Sequence, residues 1–179
     1  VILIVAGTAG CGKTTVGALI AGRLRWRFAD ADPFHPEANV AKMRKGIPLT
    51  DEDRQPWLRA VGDWIDERIA ANQQAVVTCS ALKRAYRDML LDGRPDATMV
   101  FLTVTRQVLE KRLLDRPDHF FPRKLLESQL ADLELPGPDE RVQSVVSEGG
   151  PAQTAAKVIA MLWPYGEPNP EGPPVPGVL

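Results

Sequence analysis

An unbroken apolar run, Val1-Ile2-Leu3-Ile4-Val5-Ala6, opens the chain. A short run apolar on both faces predicts a strand buried between two layers. Val16, Leu19, Ile20 and Leu24 then recur at helical spacing and predict a helix with one buried face. Trp26-Arg27-Phe28-Ala29 reads as a second strand ending at Asp30, after which Pro33 and Pro36 break the backbone around Phe34 and His35. Residues 37–45 suit a short helix stopped by Gly46, with Pro48 just beyond. Thr50 has the form of a helix cap, with Asp51, Glu52 and Asp53 in the first turn and Pro56 early in the helix. From there Trp57, Leu58, Val61, Trp64, Ile65 and Ile69 lay out a single apolar face, with both tryptophans on the core side.

The second half repeats the alternation. Ala75-Val76-Val77-Thr78 predicts a third strand, and Ser80-Ala81-Leu82-Lys83 is expected to open a helix running to about Leu91, ended by Gly93 and Pro95. A fourth strand is expected over 98–104, then a helix capped by Thr105 and carrying Val108, Leu109 and Leu113. Residues 115–122 form a polar break with paired aromatics, 124–133 return to helix, 141–147 give a weak fifth strand and 153–162 a final helix. Strands alternating with helices define an α/β fold, a parallel five-stranded sheet with helices on both faces. Ligands bind such sheets beyond the carboxyl ends of the strands. One domain is expected over residues 1–163, with a short lid at about 115–124. The Pro- and Gly-rich stretch 164–179 cannot bury a core and is expected to be an extended tail.

Composition narrows the setting. The 179 residues suffice for one well-packed domain, and a formal net charge of −1 argues against nucleic acid or an acidic membrane as partner. Cys11 and Cys79 are the only cysteines, and both fall in or beside presumed site segments, which fits a reducing compartment rather than a disulfide framework. No apolar run approaches a membrane span and no signal peptide is read ahead of the first strand, so a soluble cytoplasmic enzyme is the expectation.

Between the first strand and the first helix stands Gly7-Thr8-Ala9-Gly10-Cys11-Gly12-Lys13-Thr14, the pattern G-x-x-x-x-G-K-[ST] of a P-loop in its required context. Its glycines let successive N–H groups converge on a phosphate at a helix N-terminus. Residues Gly7, Thr8, Ala9, Gly10, Cys11, Gly12, Lys13, Thr14 and Thr15 are therefore the candidate ATP contacts. Lys13 carries the charge for the β- and γ-phosphates, and the Thr14 hydroxyl is the candidate Mg²⁺ ligand. The third strand ends in Cys79-Ser80 without the usual Walker B aspartate. That departure favours the small-metabolite and nucleoside-monophosphate kinase branch of the three-layer P-loop NTPase fold over motor or signalling ATPases.

The acceptor half is less sharply written. Asp30 and Asp32 end the second strand; a solvated turn would explain both, but a carboxylate in this crevice can accept a hydroxyl proton or hold a metal-bound water. Asp32, lying further beyond the strand, is the stronger candidate. His35 and His119 are the only histidines, and with no Cys/His cluster a structural zinc is not expected; each can equally be a turn or packing residue. Arg112 and Arg116 are four apart and share a helix face, which suits either a solvated surface or a lid that clamps phosphates. Cys11 lies near a helix N-terminus and Lys13, a setting that can lower a thiol pKa.

A longer pattern bears on these alternatives. Asp30-Ala31-Asp32-Pro33-Phe34-His35-Pro36, Asn39, Lys42-Met43, Gly46, Pro48-Leu49, Asp51, Asp53-Arg54 and Pro56-Trp57-Leu58 resemble the signature of the thermoresistant-type gluconate kinases. Cys79-Ser80-Ala81-Leu82-Lys83, Tyr86-Arg87-Asp88, Arg112, Arg116, His119-Phe120, Ser128-Gln129, Leu133-Glu134 and Pro136 continue it to about residue 147. The resemblance implies ATP-dependent phosphorylation of D-gluconate on its 6-hydroxyl, in a homodimer. It makes Asp32, His35, Lys42, Arg54, Ser80, Lys83, His119 and Gln129 the candidate substrate contacts. Asp32 is expected to orient or deprotonate the hydroxyl, Arg54 and Lys83 to hold the substrate carboxylate, and Lys13, Arg112 and Arg116 to neutralise the transferred charge. Ala9, Ala31 and the Pro117-containing lid depart from the family pattern. A shikimate kinase is the nearest rival, although its Gly-Gly-Gly stretch after the third strand is here Ser80-Ala81-Leu82-Lys83. A nucleoside-monophosphate kinase and an inactive nucleotide-binding regulator are the remaining readings.

Overall fold

The structure, a computed structural model, describes residues 1–114 and 123–166. The expected lid core, with Arg116 and His119, and nearly all of the Pro-rich tail lie outside the described residues.

β1 (Ile2–Gly7) is wholly buried and pairs in parallel with β3 (Ala75–Cys79) on one side and β4 (Ala97–Thr103) on the other. β2 (Arg27–Asp30) and β5 (Val142–Val146) form the edges, so the five parallel strands run β2-β3-β1-β4-β5. The expected α/β architecture is thus the observed one. The apolar run of β1 has no polar face because each face is covered by helices. On one face Ile2, Ile4 and Ala6 pack with Trp57, Leu58, Val61 and Ile65 of α3 (Asp51–Ala70) and with Leu90 of α4 (Arg84–Leu91). On the other, Leu3 and Val5 pack with Val16 and Ile20 of α1 (Lys13–Leu24) and Val158 and Ile159 of α7 (Pro151–Leu162). Trp26 meets Trp163 edge to face, ring centroids 5.4 Å apart, fastening the end of α7 beside the start of β2.

Local signals set most boundaries as expected. Thr50 and Asp53 form a reciprocal capping box at the start of α3, which contains Pro56 in its first turns. Thr105 Oγ1 accepts from Val108 N at 3.4 Å ahead of α5 (Arg106–Leu114). A short helix α2 (Glu37–Arg44) fills the gap between β2 and α3, and α6 (Arg123–Asp132) precedes β5. One expectation fails: residues 80–83 do not open a helix. Ala81 takes φ 37°, in the left-handed region, and α4 begins only at Arg84. Arg87 from within α4 turns back onto this loop, donating to the carbonyls of Ala81 at 3.3 Å and Leu82 at 2.9 Å. Those carbonyls, which a helix would use internally, are thereby fixed as a loop at the mouth of the site.

Candidate active site

The carboxyl ends of β1, β2 and β3 open into one cavity of about 460 Å³. Its donor wall is the P-loop. Gly7 at φ 139° and Gly12 at φ 101° allow the tight curl, and a Cβ on Gly7 would sit 2.6 Å from the Leu102 carbonyl oxygen. Lys13 lines the cavity with its Nζ donating to Thr8 O at 2.9 Å, held over the loop it serves. Cys11 is fully buried beneath the loop. The Cys11 carbonyl accepts from Arg112 Nη1 at 3.0 Å and from Ser147 Oγ at 3.2 Å. Arg112 also donates to Ser147 O at 3.0 Å. Arg112 is thus not among the residues lining the cavity; its guanidinium braces the P-loop backbone from behind.

Between donor and acceptor stand the two aspartates. Asp30 Oδ2 accepts from the Thr14 hydroxyl at 2.8 Å, and Asp30 Oδ1 accepts from Asp32 N at 3.1 Å. Asp30, the weaker candidate of the pair on sequence, holds the Thr14 hydroxyl and fixes the turn that presents Asp32. The signal was available, since a carboxylate at the end of the strand facing the P-loop replaces the Walker B aspartate missing from β3. The Thr14 hydroxyl, a hard oxygen donor held in place by Asp30 Oδ2, fits a Mg²⁺ ion that takes its other ligands from water and phosphate. Among the described residues no cluster of three or more His, Cys, Asp or Glu side chains forms a self-sufficient metal cage.

The acceptor wall is built by α2, α3 and the 80–83 loop. His35 stacks on Trp57, centroids 4.2 Å apart and planes 11° from parallel, while Trp57 Nε1 donates to Ala31 O at 2.7 Å. Trp57 is a core residue as expected, and it also forms the floor of the site. Burial, and after it the charge of Arg54, push the His35 pKa down to about 4, so the imidazole is neutral at physiological pH. Asn39 Nδ2 approaches His35 Nδ1 at 3.4 Å; with Nδ1 accepting, the proton lies on Nε2. Arg54 lines the cavity and donates through Nη1 to Asp132 Oδ2 at 2.8 Å and to the Tyr86 hydroxyl at 3.1 Å. Ser80 and Gln129 line it too, and Gln129 Oε1 accepts the P-loop amide of Ala9 at 2.7 Å.

Two expected substrate contacts are engaged elsewhere. Lys42 grips both oxygens of Asp53, at 2.7 and 2.8 Å, tying α2 to α3, and does not line the cavity. Lys83 donates to Asp51 Oδ1 at 2.7 Å and lies 3.5 Å from Asp132 Oδ1, behind Arg54. Hydrogen bonds from Lys83 and Tyr86 hold the Asp51 carboxyl below its usual range. Sequence reasoning missed Asp51 and Asp132 as partners, because a charge on a surface helix does not announce which distant cation it meets.

A phosphate nest, a carboxylate pair and a guarded acceptor wall at the ends of parallel strands define a P-loop kinase acting on a small metabolite. Comparison with known proteins agrees. The family described as Shikimate kinase matches residues 9–162. The gluconokinase of Gluconobacter oxydans is 48% identical over 157 residues, covering 88% of each chain. The thermoresistant gluconokinase of Escherichia coli is 38% identical over 152 residues, covering 85% of this chain and 87% of its own. A crystal structure of a gluconokinase from Sinorhizobium meliloti superposes with a TM-score of 0.76 at 40% identity, covering 90% of this chain and 94% of that one. The chain belongs to the gluconokinase family, within the broader shikimate-kinase-like group of P-loop kinases.

Proposed function

We propose that this protein transfers the terminal phosphoryl group of ATP to the 6-hydroxyl of D-gluconate, giving 6-phospho-D-gluconate and ADP. The observation that carries the reading is the convergence of Lys13, Asp32 and Arg54 on one cavity, a donor cation, a central carboxylate and an acceptor cation. Asp32 accepts the hydroxyl proton as the sugar oxygen bonds to phosphorus and the bond from phosphorus to the β-phosphate oxygen breaks, leaving ADP. Lys13 and the P-loop amides stabilise the charge that gathers on the phosphates. Arg116 and His119, which lie outside the described residues, are assigned on the family resemblance alone to that neutralisation and to the sugar acid. Arg54 takes the gluconate carboxylate, with Lys83 acting through the network behind it; His35, Ser80 and Gln129 meet the hydroxyls.

Thr14, backed by Asp30, would hold Mg²⁺, which supplies charge neutralisation across the donor phosphates. Two free, buried cysteines support a cytoplasmic setting, and the resemblance to the family supports a homodimer, which light scattering on the purified protein checks. Among the described residues no helix is long and apolar enough to cross a membrane.

The test is ADP release measured across gluconate, shikimate, other sugar acids and nucleoside monophosphates, with Asp32→Asn alongside. Gluconate-dependent release is expected, with the variant retaining ATP binding and losing about 10²–10⁴-fold in kcat. A variant that kept most of its kcat would remove Asp32 from the proton-accepting role.

A further inference from the structure

Lys13 and Arg54 are the two cationic side chains among the described residues that line the cavity, and Lys13 stands on the donor wall. Recognition of a negatively charged acceptor therefore falls on Arg54. A guanidinium on a long side chain recognises a carboxylate well only when its fork is held in place. Here the fork is held from one side. Its hydrogen bonds among the described residues all run through Nη1, to Asp132 Oδ2 at 2.8 Å and the Tyr86 hydroxyl at 3.1 Å. Tyr86 in turn donates to Asp51, and Lys83 stands between Asp51 and Asp132. The Arg54 side chain is 12% exposed and that of Asp132 24% exposed, so the pair is screened far less than a surface ion pair.

Asp132 is the last residue of α6, and three positions earlier Gln129 accepts the Ala9 amide of the P-loop at 2.7 Å. Residues three apart share a helix face. One short helix segment is therefore pinned to the phosphate nest by Gln129 and to the acceptor cation by Asp132. The path from Ala9 through Gln129, α6 and Asp132 to Arg54 sets how far the acceptor's anionic group lies from the transferred phosphate.

We propose that Asp132 is a positioning residue that gives this enzyme its selectivity for an acidic over a neutral polyol. It does so by fixing the Arg54 guanidinium at a set distance from the P-loop. The inference rests on the gluconate kinase reading, and it reaches a residue that neither touches the acceptor nor lines the cavity. It also fixes a sign. Removing a carboxylate that only competes for an anion-binding arginine tightens acceptor binding; removing one that positions the arginine weakens it.

The experiment compares wild type, Asp132→Asn and Asp132→Glu in steady-state ADP release with D-gluconate and with D-glucitol, its uncharged analogue. ATP affinity and thermal unfolding are measured on each protein. Asp132→Asn is expected to raise the gluconate KM about tenfold with a much smaller change in kcat, the loss expected for one charge-assisted contact. The glucitol rate and ATP affinity should stay near wild type, so that the preference for the acid falls by the same factor. Asp132→Glu, which keeps the charge, should recover most of the preference, and it carries the test if the Asn variant does not fold. An unchanged or lowered gluconate KM in Asp132→Asn overturns the proposal, as does an equal loss with both acceptors or a Glu variant no more selective than Asn. Wild-type protein with no gluconate-dependent ADP release would instead overturn the functional reading, and this inference with it.

Discussion

At the residue scale the site depends on which of two aspartates does what. Both line the cavity, and Asp30 in addition takes the Thr14 hydroxyl and the Asp32 amide. Removing Asp30 should therefore act on the metal before it acts on the sugar: Asp30→Ala is expected to raise the Mg²⁺ concentration for half-maximal rate by about 10–100-fold, as loss of an outer-shell partner does. A titration of rate against Mg²⁺ checks this, and gluconate KM should move far less. His35 predicts a pH effect of definite sign. Its folded pKa, about 4, lies below the 6.5 of an unconstrained imidazole, so the unfolded chain binds the extra proton first. The contribution of His35 is complete above pH 6.5 and is lost as the pH falls towards 4. Denaturant titrations across that window should show stability dropping on acidification, with a shallower drop in His35→Gln. The cysteines give a third test. Burial pushes the Cys79 thiol up to about 12, and Cys11 is equally enclosed, so neither should react with a thiol reagent at pH 8 until the protein is denatured. A P-loop cysteine that reacted quickly in the native state, with ATP protecting it, would contradict the burial described.

Elements are held in register by buried charge. Arg87 has no exposure, pairs with both Glu140 oxygens at 2.7 and 2.9 Å, and donates to the carbonyls of Ala81, Leu82 and Glu134. It thus staples the 80–83 loop to the segment leading into β5. Arg87→Met should cost about 3–5 kcal/mol, because Glu140 is left buried without its partner, and adding Glu140→Leu should recover part of that loss in urea unfolding. This staple shows where sequence reasoning stopped. The P-loop, the Thr50 cap and the apolar stripe of α3 were legible because each is a rule about neighbours a few positions apart. The 80–83 loop was misread as helix because the group that prevents helix, the Arg87 guanidinium, acts back on it through space. Lys42, Lys83 and Arg112 were assigned to ligands for the same reason. Their partners, Asp53, Asp51 and the Cys11 carbonyl, sit 11, 32 and 101 positions away, and only the folded chain brings them together.

For the whole molecule, the parallel order β2-β3-β1-β4-β5 puts the P-loop at the centre of the sheet. It also places the Asp30–Asp32 turn two strands to one side. α3 and the 80–83 loop close over that side, and α6 reaches across from Ala9 to Arg54. The donor half would serve many phosphotransferases; the acceptor half, with a neutral His35 stacked on Trp57 and Arg54 fixed by its partners, is built for a hydroxylated anion. The most direct test of the account is the chemical identity of the product. Purified protein incubated with ATP, Mg²⁺ and D-gluconate, followed by ³¹P and ¹³C NMR, should yield a phosphate monoester on C6 in step with ADP, and no ester with shikimate under the same conditions. A phosphorylated shikimate, a phosphate on another gluconate carbon, or ATP left intact with gluconate present would contradict it.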